Sequence, residues 1–97
     1  MEARPILYVD FNELMEPDVV LLSQRDVKTD INGIDVPLFE GLPIAIYMDD
    51  VGADGETDNL IAEGVVTRNT HTDIFPHVKW CCKISELGIR HQSDTAL

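Results

Sequence analysis

The stretch IAIYMDDVGADGETDNLIAEGVVTR, residues 44–68, carries two apolar segments with period-two alternation on either side of an acidic segment. Alternate residues from Ile44 onward share one face of a first strand, and residues 60–68 predict a second strand. Gly64, in the middle of the second strand, favours a bulge or a sharp bend. The stretch therefore predicts a β-hairpin whose acidic residues lie in the connection.

The acidic connection is also a candidate ion site. An EF-hand loop that starts at Asp50 would place Ile61 at its last position, where calcium binding needs a bidentate glutamate, so an EF-hand is excluded. Oxygen ligands for a divalent cation remain available in the connection. The candidate ligands are Asp49, Asp50, Asp54, Glu56 and Asp58.

The segment HVKWCCKI, residues 77–84, shows the cleanest alternation in the chain. It places Trp80 and Cys82 on one face, which we predict to be buried, and Cys81 on the opposite, exposed face. Residues on that exposed face, together with a tyrosine of the opening stretch, are candidates for contact with a partner. They are Tyr47, Lys79, Cys81 and Lys83.

Period-two patterning along the chain predicts an all-β fold with five to seven short strands, in a small SH3-like barrel or a strongly bent antiparallel sheet. Asn32-Gly33 predicts a hairpin with a type I′ turn. At most one short helical turn is expected, near residues 12–16, with Asn12 as its cap. We expect one domain over residues 1–97, with its core within 18–92 and a frayed end at 93–97.

The strand order over residues 18–92 resembles that of small SH3-like barrels of the Tudor and KOW kind. The shared features are a long irregular first hairpin, two strands joined by a variable loop, a strand that carries tryptophan, and a short last strand. The chain also resembles short bacterial proteins, some of them carried on mobile elements. The first resemblance implies a small barrel that binds other molecules, and the second implies no activity.

The chain has 18 acidic and 7 basic residues and a formal net charge of -11. Such a charge repels nucleic-acid phosphates and suits a basic protein partner or a divalent cation. No apolar run reaches the ~20 residues that a membrane span needs, and a signal-peptide pattern is missing from the start, so we expect a cytoplasmic protein without membrane contact. The adjacent cysteines, Cys81 and Cys82, are expected to be reduced thiols.

Catalytic chemistry finds little support in the sequence. His71, His77, Cys81 and Cys82 carry metal-ligating groups, but adjacent cysteines on a strand point to opposite faces, which argues against zinc. A thiol nucleophile would need a base such as His77 or His91, and no hydrolase signature surrounds the cysteines. We therefore expect a protein without a cofactor and without enzymatic activity.

These observations favour a small acidic binding module that contacts a protein partner through a sheet face or edge. One edge is a candidate for pairing with a second copy of the chain. A first alternative is an acidic nucleic-acid mimic that inhibits a basic partner. A second alternative is the binding of a divalent cation by the acidic connection at residues 49–58.

Overall fold

The two alternating segments of the opening stretch form the central hairpin of the fold, and the all-β prediction is confirmed. The computed structural model describes residues 4–51 and 54–92, so the predicted fraying of 93–97 lies outside the described residues. The described part of the chain contains nine short strands, more than the five to seven predicted. They are β1 (Ile6–Tyr8), β2 (Leu14–Glu16), β3 (Val19–Ser23), β4 (Val27–Thr29), β5 (Asp35–Pro37), β6 (Pro43–Met48), β7 (Leu60–Arg68), β8 (Trp80–Ile84) and β9 (Arg90–His91).

Seven of these strands form one sheet. Its order is β1-β6-β7-β8-β3-β2, and β9 pairs with the first residues of β7 beside β8. Strands β4 and β5 form a separate hairpin. Strands β1 and β6 run parallel, whereas the other described pairs are antiparallel. Because β1 and β2 are opposite edges and do not pair in the described chain, the sheet is open rather than a closed barrel.

The hydrophobic core lies between one face of the sheet and the β4–β5 hairpin. The hairpin contributes Val36 and Leu38 to the core and so covers this inner face. Burial of apolar surface is the main favourable term in folding, and it explains why the apolar residues at every second position of the long strands point inward. The sheet residues with the most complete burial in this cluster are Leu7, Val20, Ile44, Ile46, Val66 and Cys82.

Gly64 lies in β7 at a position where a side chain would collide with β8. It pairs with Ile44 on one side and with Ile84 on the other, and the register is continuous through it, so of the predicted bulge or sharp bend the bulge is absent. A Cβ atom at this position would overlap the carbonyl oxygen of Lys83 and lie 2.8 Å from the sulfur of Cys82. The glycine is therefore needed for close strand packing.

The prediction of a helical turn near residues 12–16 is wrong. The amide of Glu13 donates to the carbonyl of Asp10 at 2.9 Å, and the amide of Asn12 donates to the Asp10 carboxylate at 2.9 Å, so the chain makes a tight turn here. The following residues form β2 against β3. A single helical turn fixes several residues for one hydrogen bond, whereas an edge strand gains its bonds from a sheet that already exists.

The hairpin predicted around Asn32-Gly33 is confirmed, but the predicted type I′ turn is wrong. Only Gly33 has a positive φ, at 80°, whereas a type I′ turn needs positive φ at both central residues. The carboxylate of Asp30 accepts hydrogen bonds from the amides of Asn32 at 2.8 Å and Ile34 at 3.0 Å. This side chain stabilises a longer loop than the dipeptide alone indicates.

Candidate functional site

The acidic connection closes the β6–β7 hairpin. A bridge joins Val51 to Thr57, the Asp58 amide donates to the Asp50 carbonyl at 3.0 Å, and the Asp54 carboxylate accepts the Glu56 amide at 3.1 Å. The Asp50 carboxylate also lies 3.1 Å from Nε2 of His91 in β9. Among the described residues, no group of three or more histidine, cysteine, aspartate or glutamate side chains is placed to hold a metal ion. The candidate cation ligands therefore gain no support.

The two cysteines point to opposite faces of β8, as predicted, but the predicted exposure of Cys81 is wrong. Cys81 is 0% exposed, between Leu21 of β3 and Thr67 of β7. Strand β8 lies in the middle of the sheet, with neighbours on both sides, and sequence periodicity does not report this position. Cys81 is therefore not accessible to a partner.

Burial also makes both thiols poor nucleophiles. Loss of contact with water raises the pKa of Cys81 to about 11 and the pKa of Cys82 to about 12, where the neighbouring Cys81 adds to the effect. At pH 8 roughly one Cys81 side chain in a thousand would be a thiolate. Since the thiolate is the reactive form, the structure offers no activated cysteine in its described part.

We expect neither thiol to react with dithiodipyridine in the native protein at pH 8 within the time that free cysteine needs to react completely. The same reagent should titrate both Cys81 and Cys82 once urea unfolds the chain. The measurement is the absorbance of released thiopyridone with and without urea. Rapid reaction of one thiol in the native protein would show that one cysteine is accessible. Loss of that reaction in a Cys81→Ser variant would identify the accessible cysteine as Cys81.

The two lysines predicted to contact a partner are each paired with a carboxylate of the same chain. Lys79 Nζ lies 2.7 Å from Asp26 Oδ1, and Lys83 Nζ lies 2.9 Å from Asp18 Oδ2. Hydrogen bonds from these lysines lower the pKa of both aspartates, and Trp80 adds a second hydrogen bond to Asp26. The lysines thus belong to local ion pairs on the surface, which contribute little to stability.

The face prediction for Trp80 is confirmed. The ring is 5% exposed and belongs to the core, and its Nε1 donates a hydrogen bond to Asp26 at 3.0 Å. The guanidinium carbon of Arg68 lies 4.9 Å from the ring centroid, a distance at which a cation is attracted to the π face. Trp80 is therefore a structural residue rather than an exposed recognition residue.

Tyr47, the remaining candidate contact, lies in a groove on the outer face of the sheet, opposite the core. The groove has a volume of about 430 Å³ and is mainly apolar. Its walls come from the edge strand β1, from β6 and β7, and from β9 with the residue that follows it. We call it the outer-face groove, and its principal side chains are Ile6, Ala45, Tyr47, Asn59, Ile61 and Arg90.

Neighbouring elements fix the shape of this groove. The ring of Tyr47 contacts that of Tyr8 edge to face, with centroids 5.5 Å apart and an interplanar angle of 80°, an arrangement that aromatic pairs prefer. The amide of Ile31, in the β4–β5 loop, donates to the carbonyl of Ile6 at 3.1 Å and holds that loop against the rim. Tyr8 is 47% exposed, so an aromatic and aliphatic surface extends from the groove to the sheet edge.

A carboxylate at the groove lies between two guanidinium groups. Glu63 lies 3.4 Å from Arg4 and 3.5 Å from Arg90, one contact to each carboxylate oxygen. Arg90 also donates to the carbonyl of Gly88 at 3.4 Å. These contacts therefore place one carboxylate between two guanidinium groups, with a local excess of one positive charge.

Sequence reasoning found only Tyr47 among the groove residues. The outward positions of the central hairpin, Ala45 and Ile61, carry a signal, because apolar side chains recur on both faces of its strands. No sequence pattern shows that Ile6 and Arg90 join them. That neighbourhood depends on the parallel pairing of β1 with β6 and on the pairing of β9 with β7.

Comparison of the chain with protein-family models, with curated proteins and with solved structures found no significant match. The described ranges also contain no helix with the length and apolar character required to cross a bilayer.

Proposed function

We propose that this protein is a small acidic binding module without catalytic activity, and that it contacts a protein partner through the outer-face groove. The observation that carries the proposal is an apolar groove of about 430 Å³ on a sheet face that the core does not use. Grooves of this size with apolar walls and a few polar groups are the usual form of binding sites.

Features elsewhere in the described chain and beside the groove support binding rather than chemistry. Both thiols are buried with raised pKa values, and Lys79 and Lys83 are each paired with an aspartate. The exposed aromatic ring of Tyr8 beside the groove is typical of an interface, where aromatic residues are enriched. The net charge of -11 of the whole chain favours a basic protein partner.

The test compares two variants that add the same charge to the same sheet face. Ala45→Arg places a long cationic side chain inside the groove, and Val65→Arg places one on β7 outside it. Each variant is immobilised and exposed to an extract of the source cells, and the amount of captured partner is measured. We expect Ala45→Arg to capture at least tenfold less partner than the unmodified protein and Val65→Arg to capture the same amount. Circular dichroism of both variants establishes that the sheet is intact.

Salt separates this proposal from the acidic-mimic alternative. A partner held by apolar contacts should remain bound as sodium chloride rises, because salt weakens exposed charge interactions and not apolar burial. Steep loss of the partner with salt, together with equal losses for Ala45→Arg and Val65→Arg, would contradict the groove and favour the mimic.

A further inference from the structure

A second cleft, distinct from the outer-face groove, is lined by strands that are not neighbours in the sheet. It has a volume of about 250 Å³. Residues from Tyr8 to Asp10, at the end of β1, line it together with residues from Leu21 to Ser23 of β3. Lys28 of β4 lines the same space, which we call the Lys28 cleft.

The side chain of Lys28 leaves the β4–β5 hairpin on its core-facing side. Lys28 pairs with Val36 of β5, and directly opposite residues point to the same face of a two-stranded sheet. Val36 is buried in the core, whereas Val27 and Thr29, on either side of Lys28, are exposed. A lysine in such a position packs its aliphatic stem against apolar neighbours and keeps its nitrogen at the margin of the core.

Lys28 is the one lysine of three that has no carboxylate partner among the described residues. Lys79 and Lys83 lie 2.7 and 2.9 Å from aspartate oxygens, whereas Lys28 forms neither an ion pair nor a hydrogen bond within the described part of the chain. In the same ranges, Asn59 Oδ1 is the only buried side-chain nitrogen or oxygen without a hydrogen-bond partner. The unpartnered Nζ of Lys28 is therefore not closed off from solvent.

These surroundings favour the neutral amine of Lys28. Loss of contact with water lowers the pKa of Lys28, whereas the hydrogen bond to Asp18 raises the pKa of Lys83. At a given pH, Lys28 thus holds a larger fraction of neutral amine than Lys83 does. The neutral amine is the nucleophilic form of lysine, and a desolvated lysine in a pocket is one of the ways in which proteins activate it.

The charges of the cleft restrict the reagent that reaches Lys28. Asp10 and Glu13 both line the cleft without pairing with the lysine, and the chain has a net charge of -11. Carboxylates repel an anionic acyl donor such as an acyl phosphate. An uncharged thioester with a small acyl group suits both the volume and the charge of the cleft.

We infer that Lys28 is a site of acylation by an uncharged, short-chain acyl thioester. The amine nitrogen attacks the thioester carbonyl carbon, the C–N bond forms as the C–S bond breaks, and the thiol leaves with the proton that the nitrogen gives up. The product is a neutral amide, which removes a half-buried positive charge that no described carboxylate compensates. The inference goes beyond the proposed function, because the Lys28 cleft and the outer-face groove share none of the lining residues described.

The three lysines compete within one molecule, so the intact chain carries its own controls. The native protein is incubated at pH 8 with S-acetyl-N-acetylcysteamine, and peptide mass spectrometry follows the acetylated fraction of each lysine at low conversion. We expect Lys28 to react at least about fivefold faster than Lys79 or Lys83. A rate for Lys28 equal to or below the other two would overturn the inference.

Urea tests whether the fold selects Lys28. Unfolding removes the cleft and the ion pairs, so the three rates should then agree to within about twofold. If the native order of rates persisted in urea, the local sequence and not the cleft would select Lys28, and the inference would be wrong. With acetyl phosphate, the ratio of the native to the unfolded rate of Lys28 should be lower than with the thioester, and a ratio as high or higher would overturn the choice of donor.

Asp18→Asn is the matched variant, because it removes the carboxylate that lies 2.9 Å from Lys83 and leaves the Lys28 cleft unchanged. We expect the native rate of Lys83 to rise severalfold and that of Lys28 to stay the same. If the rate of Lys83 stayed unchanged, pairing with a carboxylate would not set the reactivity of these lysines, and the reason given for the selection of Lys28 would fail.

Discussion

Replacing Gly64 with alanine is expected to lower the free energy of unfolding by about 3 kcal/mol or more. The added Cβ would overlap the carbonyl oxygen of Lys83 and approach the sulfur of Cys82 to 2.8 Å. Backbone atoms of β8 cannot rotate away as a side chain can, so relief requires the separation of β7 from β8. Those two strands hold the centre of the sheet, which makes a local adjustment costly.

Urea unfolding followed by tryptophan fluorescence measures this effect. Val65→Ala is the matched control, because it changes the adjacent residue of β7, which lies on the outer face and is 37% exposed, and it should cost less than about 1 kcal/mol. Since a small domain has only about 5–15 kcal/mol of stability, the loss expected for Gly64→Ala is a large fraction of the total. A loss below about 1 kcal/mol in Gly64→Ala would contradict the close approach of the two strands.

The second large effect is expected for Trp80→Ala, which should lower the free energy of unfolding by about 3–5 kcal/mol. The substitution leaves a cavity in the core and removes the hydrogen bond to Asp26 and the contact with Arg68. Trp80 is the only tryptophan in the chain, so the measurement should use far-UV circular dichroism in urea rather than fluorescence.

Trp80→Phe separates the ring from its hydrogen bond. Phenylalanine keeps an aromatic ring in the core and lacks the N–H that donates to Asp26 at 3.0 Å. We expect an intermediate loss of about 1–2 kcal/mol, the size of one hydrogen bond to a charged acceptor together with a small loss of packing. If Trp80→Ala and Trp80→Phe had the same stability, the burial of the ring would not be the stabilising term.

Predictions from the sequence succeeded where one strand carries all the information. The alternation over 44–68 gave the central hairpin, and the alternation over 77–84 gave the inward face of Trp80. Predictions that needed the neighbours of a strand were less successful. Cys81 was placed on the outward face, which is correct, but β3 and β7 flank it on both sides and it is buried.

The short elements near the start of the chain show the same limit. Residues 12–16 carry a helix-capping pattern that is locally reasonable, yet β2 forms there because the edge of β3 is available for pairing. The turn at Asn32-Gly33 was predicted from two residues, whereas the Asp30 carboxylate fixes a longer loop. In both cases a contact beyond the local dipeptide or tripeptide decided the conformation.

The sequence by itself determined that this protein is an all-β chain with a hairpin at its centre, a buried tryptophan and a strongly acidic surface, because side-chain alternation and charge are properties of each segment. Only the tertiary structure decided that the sheet is open and that β1 runs parallel to β6. Only the tertiary structure, likewise, placed Ile6, Tyr47, Asn59 and Arg90 around one groove. The physical reason is that the groove is formed by residues far apart in the chain. The backbone hydrogen bonds that join their strands use the same N–H and C=O groups whatever the side chains are, so the local sequence does not show which strands pair.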